Sequence, residues 1–488
     1  MSNQTSGKTN DIRKRSLRAR LSRVTGGSGN SGSGNRSISF TSISIYAFGL
    51  SGVWTASGAG ILPFKVLEAL EQGSVEIFGY GLDKNGALGV LSLLGLAVAS
   101  LAQLGSGSLS DRDSRLGSRL PYLLLGAFGL AVITVLFGFA TSFISLLLVF
   151  TTMQFFGNFG QGPANALIID HVPANQRGQA AGVLNLWRLL GAGSVTVIVL
   201  QFMSRYDAEE SPEWLWYSIA LMITVLILSV LWTVRAARPA SGLFIPSFKR
   251  PAARIETKGD LPETPASGNS DGKAPGKTRI SRSYVAFLVA LAFAIAAMSS
   301  MQIYALFFLQ DVVGLENPAA GADKLVIVIV AIAALTVLPA GYMSDRFGRS
   351  NLFAVAGIAG IVSALLLLFV NSIGPTLAVG VIVGIAVGLF MTLTWAVAND
   401  LVSQDGAARE LGYTSIATLA GAAAARISGI GIDELNRISE NLGYKAILIA
   451  VAVAFAFAAI ILARVSTRGI GIESTGKTER VAAPSAPD

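Results

Sequence analysis

Long apolar stretches alternate with short polar ones along most of the chain. Twelve of these stretches contain about 20 or more mostly apolar residues, the length that an α-helix needs to cross a lipid bilayer. They cover 41–67, 86–108, 120–140, 143–169, 178–203, 215–234, 284–310, 324–343, 350–370, 373–399, 411–432 and 443–464. The pattern therefore predicts an all-α membrane protein with twelve transmembrane helices in two six-helix halves.

Three polar segments set the predicted domain boundaries. Residues 1–40 are basic, contain the run GGSGNSGSGN and are expected to form a disordered cytoplasmic tail. The segment 235–283 is rich in Pro, Gly, Lys and Arg and separates the two sets of six stretches, which is typical of an inter-domain linker. The predicted six-helix halves are thus 41–234 and 284–464, and 465–488 forms a second polar tail.

Composition supports a membrane protein. Apolar residues make up 52% of the chain and charged residues 14%, and the mean hydropathy is +0.60. Because soluble domains carry about 25% charged residues, this composition argues against a soluble enzyme. The absence of Cys excludes disulfides, thiol nucleophiles and thiolate metal sites.

The basic residues are distributed unevenly between the two predicted faces of the membrane. Of 37 Lys and Arg residues, 29 lie on the face that carries both termini and 6 on the other. Positive charge marks the cytoplasmic face, so we expect a multi-pass protein of the cytoplasmic membrane with both termini inside. This asymmetry accounts for the pI of 9.7 without nucleic acid as a partner.

Two landmarks recur in the same order in the two halves. The run GSLSDR at 107–112 returns as GYMSDR at 341–346, and Asp170 and Gly182 return as Asp400 and Gly412. Repeats of this kind relate the halves by pseudo-symmetry and are the basis of alternating-access transporters.

The repeated loop resembles the signature loop of the major facilitator superfamily. The longer first copy, SDRDSRLGSRLPY at 110–122, is similar to that of glycoside–pentoside–hexuronide cation symporters and sucrose-type transporters, as is GPANALIIDHVPANQRG at 162–178. Span 11 departs from the expected Pro-containing motif, with Gly421 and Arg426 in its place. The resemblance implies the major facilitator fold, symport driven by H⁺ or Na⁺, and a cavity lined by spans 1, 4, 7 and 10.

The same resemblance implies a gate on the cytoplasmic side. Glycines there permit close helix approach, aspartates attract helix N-termini, and arginines pair with carboxylates. The gate residues implied are Gly107, Asp111, Arg112, Arg115, Asp170, Arg177, Gly341, Asp345, Arg346, Arg349, Asp400 and Arg409. The alternative is that these charges only set topology and solvate short loops.

A polar stripe in span 4 is the strongest indication of a solute site. Gln154, Asn158, Gln161 and Asn165 are spaced 4, 3 and 4 residues apart, which places four amides on one helical face. In lipid such groups must face protein or a wet cavity, and amides both donate and accept hydrogen bonds. They are therefore predicted either to bind solute or to hold helices together.

Four further residues complete the predicted site. Arg188 lies within span 5 and Arg426 within span 11. Each is expected to bind either carbonyls and amides of the protein or an anionic solute. For Arg426 a third alternative is that its side chain extends towards the outer surface. Gln302 gives span 7 a weaker polar face. The repeat offset maps the amide stripe onto Gly384, Gly388, Met391 and Trp395, where Trp395 would stack on solute or pack against helices.

These observations predict a monomeric secondary active transporter for a small polar solute, either sugar- or glycoside-like or an organic anion. Proton coupling usually needs a buried carboxylate, and the nearest candidates, Glu68, Asp311 and Asp433, are expected to be ordinary charges at the outer rim. The alternatives are an exporter of amphipathic compounds and a non-transporting membrane sensor. Neither a cofactor nor a metal site is predicted, and nothing in the spans indicates an enzyme.

Overall fold

The computed structural model describes residues 39–77, 79–112, 119–172, 176–237, 282–401 and 407–476. In this part of the chain, twelve helices are long and apolar enough to cross a membrane, and they coincide with the twelve predicted stretches. The structure therefore confirms the predicted all-α membrane fold.

The first half contains helices α1 to α6. They are α1 (Phe40–Glu71), α2 (Lys84–Arg112), α3 (Leu120–Phe139), α4 (Phe143–His171), α5 (Arg177–Met203) and α6 (Glu213–Ala237). A small antiparallel hairpin of β1 (Val75–Ile77) and β2 (Tyr80–Leu82) joins α1 to α2.

The second half contains helices α7 to α12. Helix α7 consists of Arg282–Ile303 and Ala305–Asp311, which are separated at Tyr304. The others are α8 (Pro318–Phe347), α9 (Arg349–Leu366, extended by a 3₁₀ turn, Leu367–Phe369), α10 (Ile373–Leu401), α11 (Ala407–Ile438) and α12 (Leu442–Gly476).

Local sequence explains where several helices bend or begin. Helix α1 contains a π-helical segment, Ala56–Ile61, immediately before Pro63, where small residues and the missing proline N–H loosen the regular hydrogen-bond ladder. Helix α8 begins at Pro318 because the Asn317 side chain accepts a hydrogen bond from the Ala320 N–H at 3.0 Å. Gly348 separates α8 from α9 with φ of 81°, a conformation that favours glycine.

Helix packing repeats between the halves. In the first half α1 packs on α5 and α6, α2 on α4, and α3 on α4 and α6. The second half has the same arrangement, with α7 on α11 and α12, α8 on α10, and α9 on α10 and α12. The main contacts between the halves are α2 with α11 and α5 with α8, which are related by the same pseudo-symmetry.

The bundle has two faces, a terminal side and a distal side. The terminal side carries the ends of helices at Phe40, Ala237, Arg282 and Val465. The distal side carries the connections 72–83, 204–212, 312–317 and 439–441.

Three predicted boundaries differ from the structure by six residues or more. Helix α8 begins at Pro318 rather than at 324, which places Asp323 inside the helix. Helix α11 ends at Ile438 rather than at 432, and α12 continues to Gly476 rather than ending at 464. Most of the predicted tails (1–38 and 477–488) and of the predicted linker (238–281) lies outside the described residues, so those predictions stand as predictions.

Candidate functional site

A cavity of about 310 Å³ lies between the two halves. Its lining comes from α1, α2 and α4 in the first half and from α7 and α11 in the second. The lining residues are Trp54, Thr55, Gly58, Ala59, Ser92, Leu96, Ala99, Phe150, Gln154, Asn158, Gln161, Ser299, Gln302, Ile303 and Arg426. The first half thus supplies most of the wall.

Three of the four α4 amides line this cavity. Gln154, Asn158 and Gln161 share one helical face, as their spacing predicts. The Asn158 Nδ2 donates to the Gln154 backbone carbonyl at 2.9 Å and lies 3.4 Å from its Oε1, which leaves other amide donors and acceptors for a bound solute.

The fourth amide, Asn165, and the deep Arg188 are not among the lining residues. The Asn165 Oδ1 accepts hydrogen bonds from Arg188 Nη2 at 2.8 Å and from the Tyr46 hydroxyl at 3.0 Å. Arg188 Nη1 also lies 3.5 Å from the Asn185 Oδ1. These bonds connect α1, α4 and α5, as the helix-bonding alternative expects, and a solute-binding role for the two residues stays a prediction.

Arg426 lines the cavity from α11. Its Nε donates to the Ser92 carbonyl of α2 at 3.2 Å, and its Nη1 donates to the Ala422 carbonyl of its own helix at 2.8 Å. The expectation that Arg426 extends towards the outer surface is therefore wrong for this conformation.

Gln302 lines the cavity from α7 together with Ser299. Sequence reasoning did not select the aromatic part of the wall, Trp54 and Phe150. The Trp54 ring lies where a Cβ on Gly157 would be, so Gly157 is what admits this large side chain. Gly157, which precedes Asn158 in the sequence, was the available indication that a ring packs against α4.

Span 10 does not mirror span 4. A Cβ on Gly384 would come 2.9 Å from the Ile329 carbonyl, and one on Gly388 would come 2.9 Å from that of Ala333. These glycines therefore pack α10 against α8, and Met391 is half-exposed. The Trp395 side chain lies outside the described part, and among described residues none from α10 lines the cavity.

The predicted gate residues whose backbone is described lie on the terminal side. Asp111 and Arg112 end α2, Asp170 and Arg177 flank the α4–α5 connection, and Gly341 and Asp345 lie in the last turns of α8. The side chains of these residues, and those of Asp400 and Arg409, are outside the described part, as is Arg115 altogether.

The surroundings of three further gate residues, Gly107, Arg346 and Arg349, lie within the described part of the chain. A Cβ on Gly107 would meet no atom of the described residues within 4 Å, although Gly162 of α4 lies against the α2 backbone between Gln103 and Gly107. The Arg346 guanidinium lies 5.6 Å from the centre of the Phe347 ring, and Arg349 is the first residue of α9.

The distal side is joined by a buried carboxylate that sequence analysis placed at the rim. Asp433 of α11 is 5% exposed. Its oxygens accept hydrogen bonds from the Asn85 N–H at 3.3 Å, the Asn85 Nδ2 at 2.9 Å and the Gly86 N–H at 2.6 Å. Because those N–H groups belong to the first turn of α2, Asp433 caps a helix of the opposite half. The rim expectation for Asp433 is wrong.

The other two expected rim carboxylates are also engaged. Asp311 pairs with Lys84 at 2.5 Å, across the two halves, and accepts from the Tyr444 hydroxyl at 2.7 Å. Glu68 pairs with the buried Lys65 at 2.9 Å and accepts a hydrogen bond from the Tyr206 hydroxyl. Burial, together with Glu68, raises the pKa of Tyr206 above its ordinary value, which keeps this hydroxyl a donor.

A further buried carboxylate follows from the early start of α8. Asp323 is 9% exposed, and its Oδ1 has no hydrogen-bond partner among the described residues. Among the described residues, no group of three or more His, Asp or Glu side chains is placed to hold a metal ion.

Comparisons with known proteins agree with this architecture. The Major Facilitator Superfamily model matches residues 37–425 and 287–482. No curated protein matches the chain.

Several solved structures share the fold. A bacterial homolog of the human lysosomal transporter Spinster is 17% identical, with a TM-score of 0.56 over 91% of this chain and 98% of its own. A bacterial homologue of the iron transporter ferroportin is 12% identical (TM-score 0.64), and the nucleoside transporter NupG is 14% identical (TM-score 0.56). Each covers 88% of this chain and 98% of its own. The chain therefore belongs to the Major Facilitator Superfamily and is a multi-pass membrane transporter of a small-molecule solute.

Proposed function

We propose that this protein is a secondary active transporter that moves a small polar solute, sugar- or glycoside-like or an organic anion, across the cytoplasmic membrane by alternating access. The observation that carries the proposal is the polar cavity between the halves, lined by three amides of α4, by Gln302 of α7 and by Arg426 of α11. Hydrogen-bonding groups inside the bundle are costly unless they bond to protein, water or a ligand, and these line a cavity.

The described conformation fits one step of such a cycle. On the distal side α2 packs closely on α11, whereas Cβ atoms on Gly105 and Gly107, near the terminal end of α2, would meet no described atom within 4 Å. We infer that the cavity opens to the terminal side, which the distribution of Lys and Arg assigns to the cytoplasm.

We also propose that transport is coupled to H⁺ or Na⁺. This coupling follows from the resemblance to glycoside–pentoside–hexuronide cation symporters. Asp323 and Asp433 are buried carboxylates inside spanning helices, and these are the groups through which a coupling cation would act. The protein is proposed to work as a monomer.

Uptake by proteoliposomes tests the proposal. The purified protein should accumulate a polar solute from a broad panel, faster with an imposed pH or Na⁺ gradient, and Asn158→Leu should reduce that uptake. Failure to move any member of the panel would overturn the proposal. Solute movement that does not depend on either gradient would support transport but would contradict coupling to H⁺ or Na⁺.

A second function is favoured by a different part of the wall. Trp54, Leu96 and Phe150 form an aromatic and aliphatic face, which would suit an exporter of amphipathic compounds. Transport of hydrophobic dyes by the same proteoliposomes, without movement of sugars or organic anions, would favour the exporter.

A further inference from the structure

The charge balance of the cavity points to the kind of solute, on the basis of the proposed function. Arg426 is the single formally charged residue among the described residues that line the wall. A solute bound there meets one positive charge together with neutral amides and hydroxyls.

The bonds of Arg426 leave that charge uncompensated. Its two described partners, the carbonyls of Ser92 and Ala422, are neutral, and its Nη2 makes no described hydrogen bond. No described carboxylate lies within ion-pair distance. Asp433 is seven residues further along α11, roughly 10 Å along the axis, and is bonded to α2. A partly buried guanidinium without a counter-ion is costly, and an anionic ligand reduces that cost.

The rest of the wall sets the shape of the ligand. At about 310 Å³ the cavity is at the lower end of the range for ligand sites. Gln154, Asn158 and Gln161 line the same cavity as Arg426 with groups suited to hydroxyls and amides, and Trp54 adds an aromatic surface.

We infer that the transported solute is a small organic anion. Its carboxylate or phosphate group binds Arg426, and its uncharged part lies against the α4 amides and Trp54. Arg426 thus selects for charge, whereas the amides hold the remainder of the solute.

Matched pairs of probes test this inference on the purified full chain. Thermal stabilisation is measured with glucuronate against glucose and with benzoate against benzamide, at equal ionic strength. The anion of at least one pair should bind about tenfold more tightly than its neutral partner, the scale of a charged hydrogen bond. Arg426→Lys should keep this preference and Arg426→Gln should lose it. The control Arg205→Gln removes an exposed positive charge on a distal loop and should change nothing.

The outcomes separate the inference from the proposed function. Equal or tighter binding of both neutral partners, or no stabilisation by either anion, overturns the anion inference. A neutral sugar that still moves in proteoliposomes would leave the transporter proposal intact. If Arg426→Gln does not fold, the comparison of each anion with its neutral partner on the native chain decides.

A second inference rests on the distal contact alone. The Asp433 carboxylate accepts three hydrogen bonds from Asn85 and Gly86, and the Tyr444 hydroxyl, 3.2 Å from the Asn85 Nδ2, extends the contact to α12. The bonded N–H groups lie at the positive end of α2, so the negative charge is stabilised there. The geometry points to Asp433 as a latch that holds the two halves together on the distal side and releases when that side opens.

Labelling from the distal side tests the latch without a known solute. The chain has no Cys, so Ala59→Cys places a unique thiol in the cavity. In proteoliposomes, an impermeant maleimide applied to the distal side should label it about tenfold faster after Asp433→Asn, the scale of a charged hydrogen bond. Asn85→Ala removes only the Nδ2 bond and keeps the two backbone N–H bonds, so it should raise labelling by a smaller factor. Glu440→Gln, a change at an exposed residue of the 439–441 connection, should have none.

Unchanged labelling in both Asp433→Asn and Asn85→Ala overturns the latch. The latch is supported if Asp433→Asn and Asn85→Ala together raise the labelling rate no more than the stronger single change does. The two changes then remove the same interaction. If Asp433→Asn does not insert, Asn85→Ala alone decides.

Discussion

The two ends of α2 carry similar glycines in very different surroundings. At the distal end, a Cβ on Gly89 would overlap the Arg426 carbonyl, and one on Gly86 would come 2.8 Å from the Asp433 Oδ2. At the terminal end, a Cβ on Gly105 or Gly107 would meet nothing within 4 Å.

This contrast shows what a glycine does in a helix of a moving bundle. The distal glycines let the α2 backbone approach that of α11, and backbone and carboxylate groups then bond across the halves. The terminal glycines have no such contact in this conformation. We therefore expect Gly105 and Gly107 to pack against another helix only when the terminal side of the protein closes.

The largest expected effect is that of Gly89→Ala. The added methyl meets backbone rather than a flexible side chain, so α2 and α11 must separate. Overpacking of this kind costs about 1–3 kcal/mol, which shifts the distal-closed state by about 5- to 150-fold. Distal labelling of Ala59→Cys measures the shift. Gly105→Ala in the same helix is the matched control, and equal labelling in the two variants would contradict the prediction.

Gly107→Ala should act in the opposite direction and less strongly. It costs nothing in the described conformation, but it will hinder closure of the terminal side if Gly107 packs there as the gate hypothesis predicts. Transport should slow several-fold while distal labelling does not rise. Unaltered transport would remove Gly107 from the gate.

The smallest effect is expected for Lys84→Gln. This change removes the ion pair with Asp311, whose partners are each about a quarter exposed. Partly exposed pairs contribute about 0.2–1 kcal/mol, so distal labelling should rise by at most about fivefold. A larger rise than that of Asp433→Asn would show that the ion pair, rather than the helix cap, holds the distal side.

The two deep arginines make a related contrast. Both lie inside spanning helices, and sequence reasoning could assign neither a partner. Arg188 is bonded to Asn165 and Asn185 within the first half, whereas Arg426 bridges to the Ser92 carbonyl and lines the cavity. Depth in the membrane was readable from spacing, but the partner across the helix interface was not.

The length of the apolar stretches determined the twelve helices, and the polar segment 235–283 determined the division into halves. The spacing of Gln154, Asn158 and Gln161 determined that these amides share one face of α4. These properties follow from local rules, namely the length needed to cross lipid and the pitch of a helix. The internal repeat likewise predicted pseudo-symmetric packing, which the helix contacts bear out.

Only the tertiary structure decided which polar groups meet. It placed Arg426 on the cavity wall, gave Asn165 to Arg188, admitted Trp54 beside Gly157 and buried Asp433 against the first turn of α2. Each of these depends on the relative position of helices far apart in sequence. That position is set by the packing of the whole bundle, which no local pattern of residues encodes.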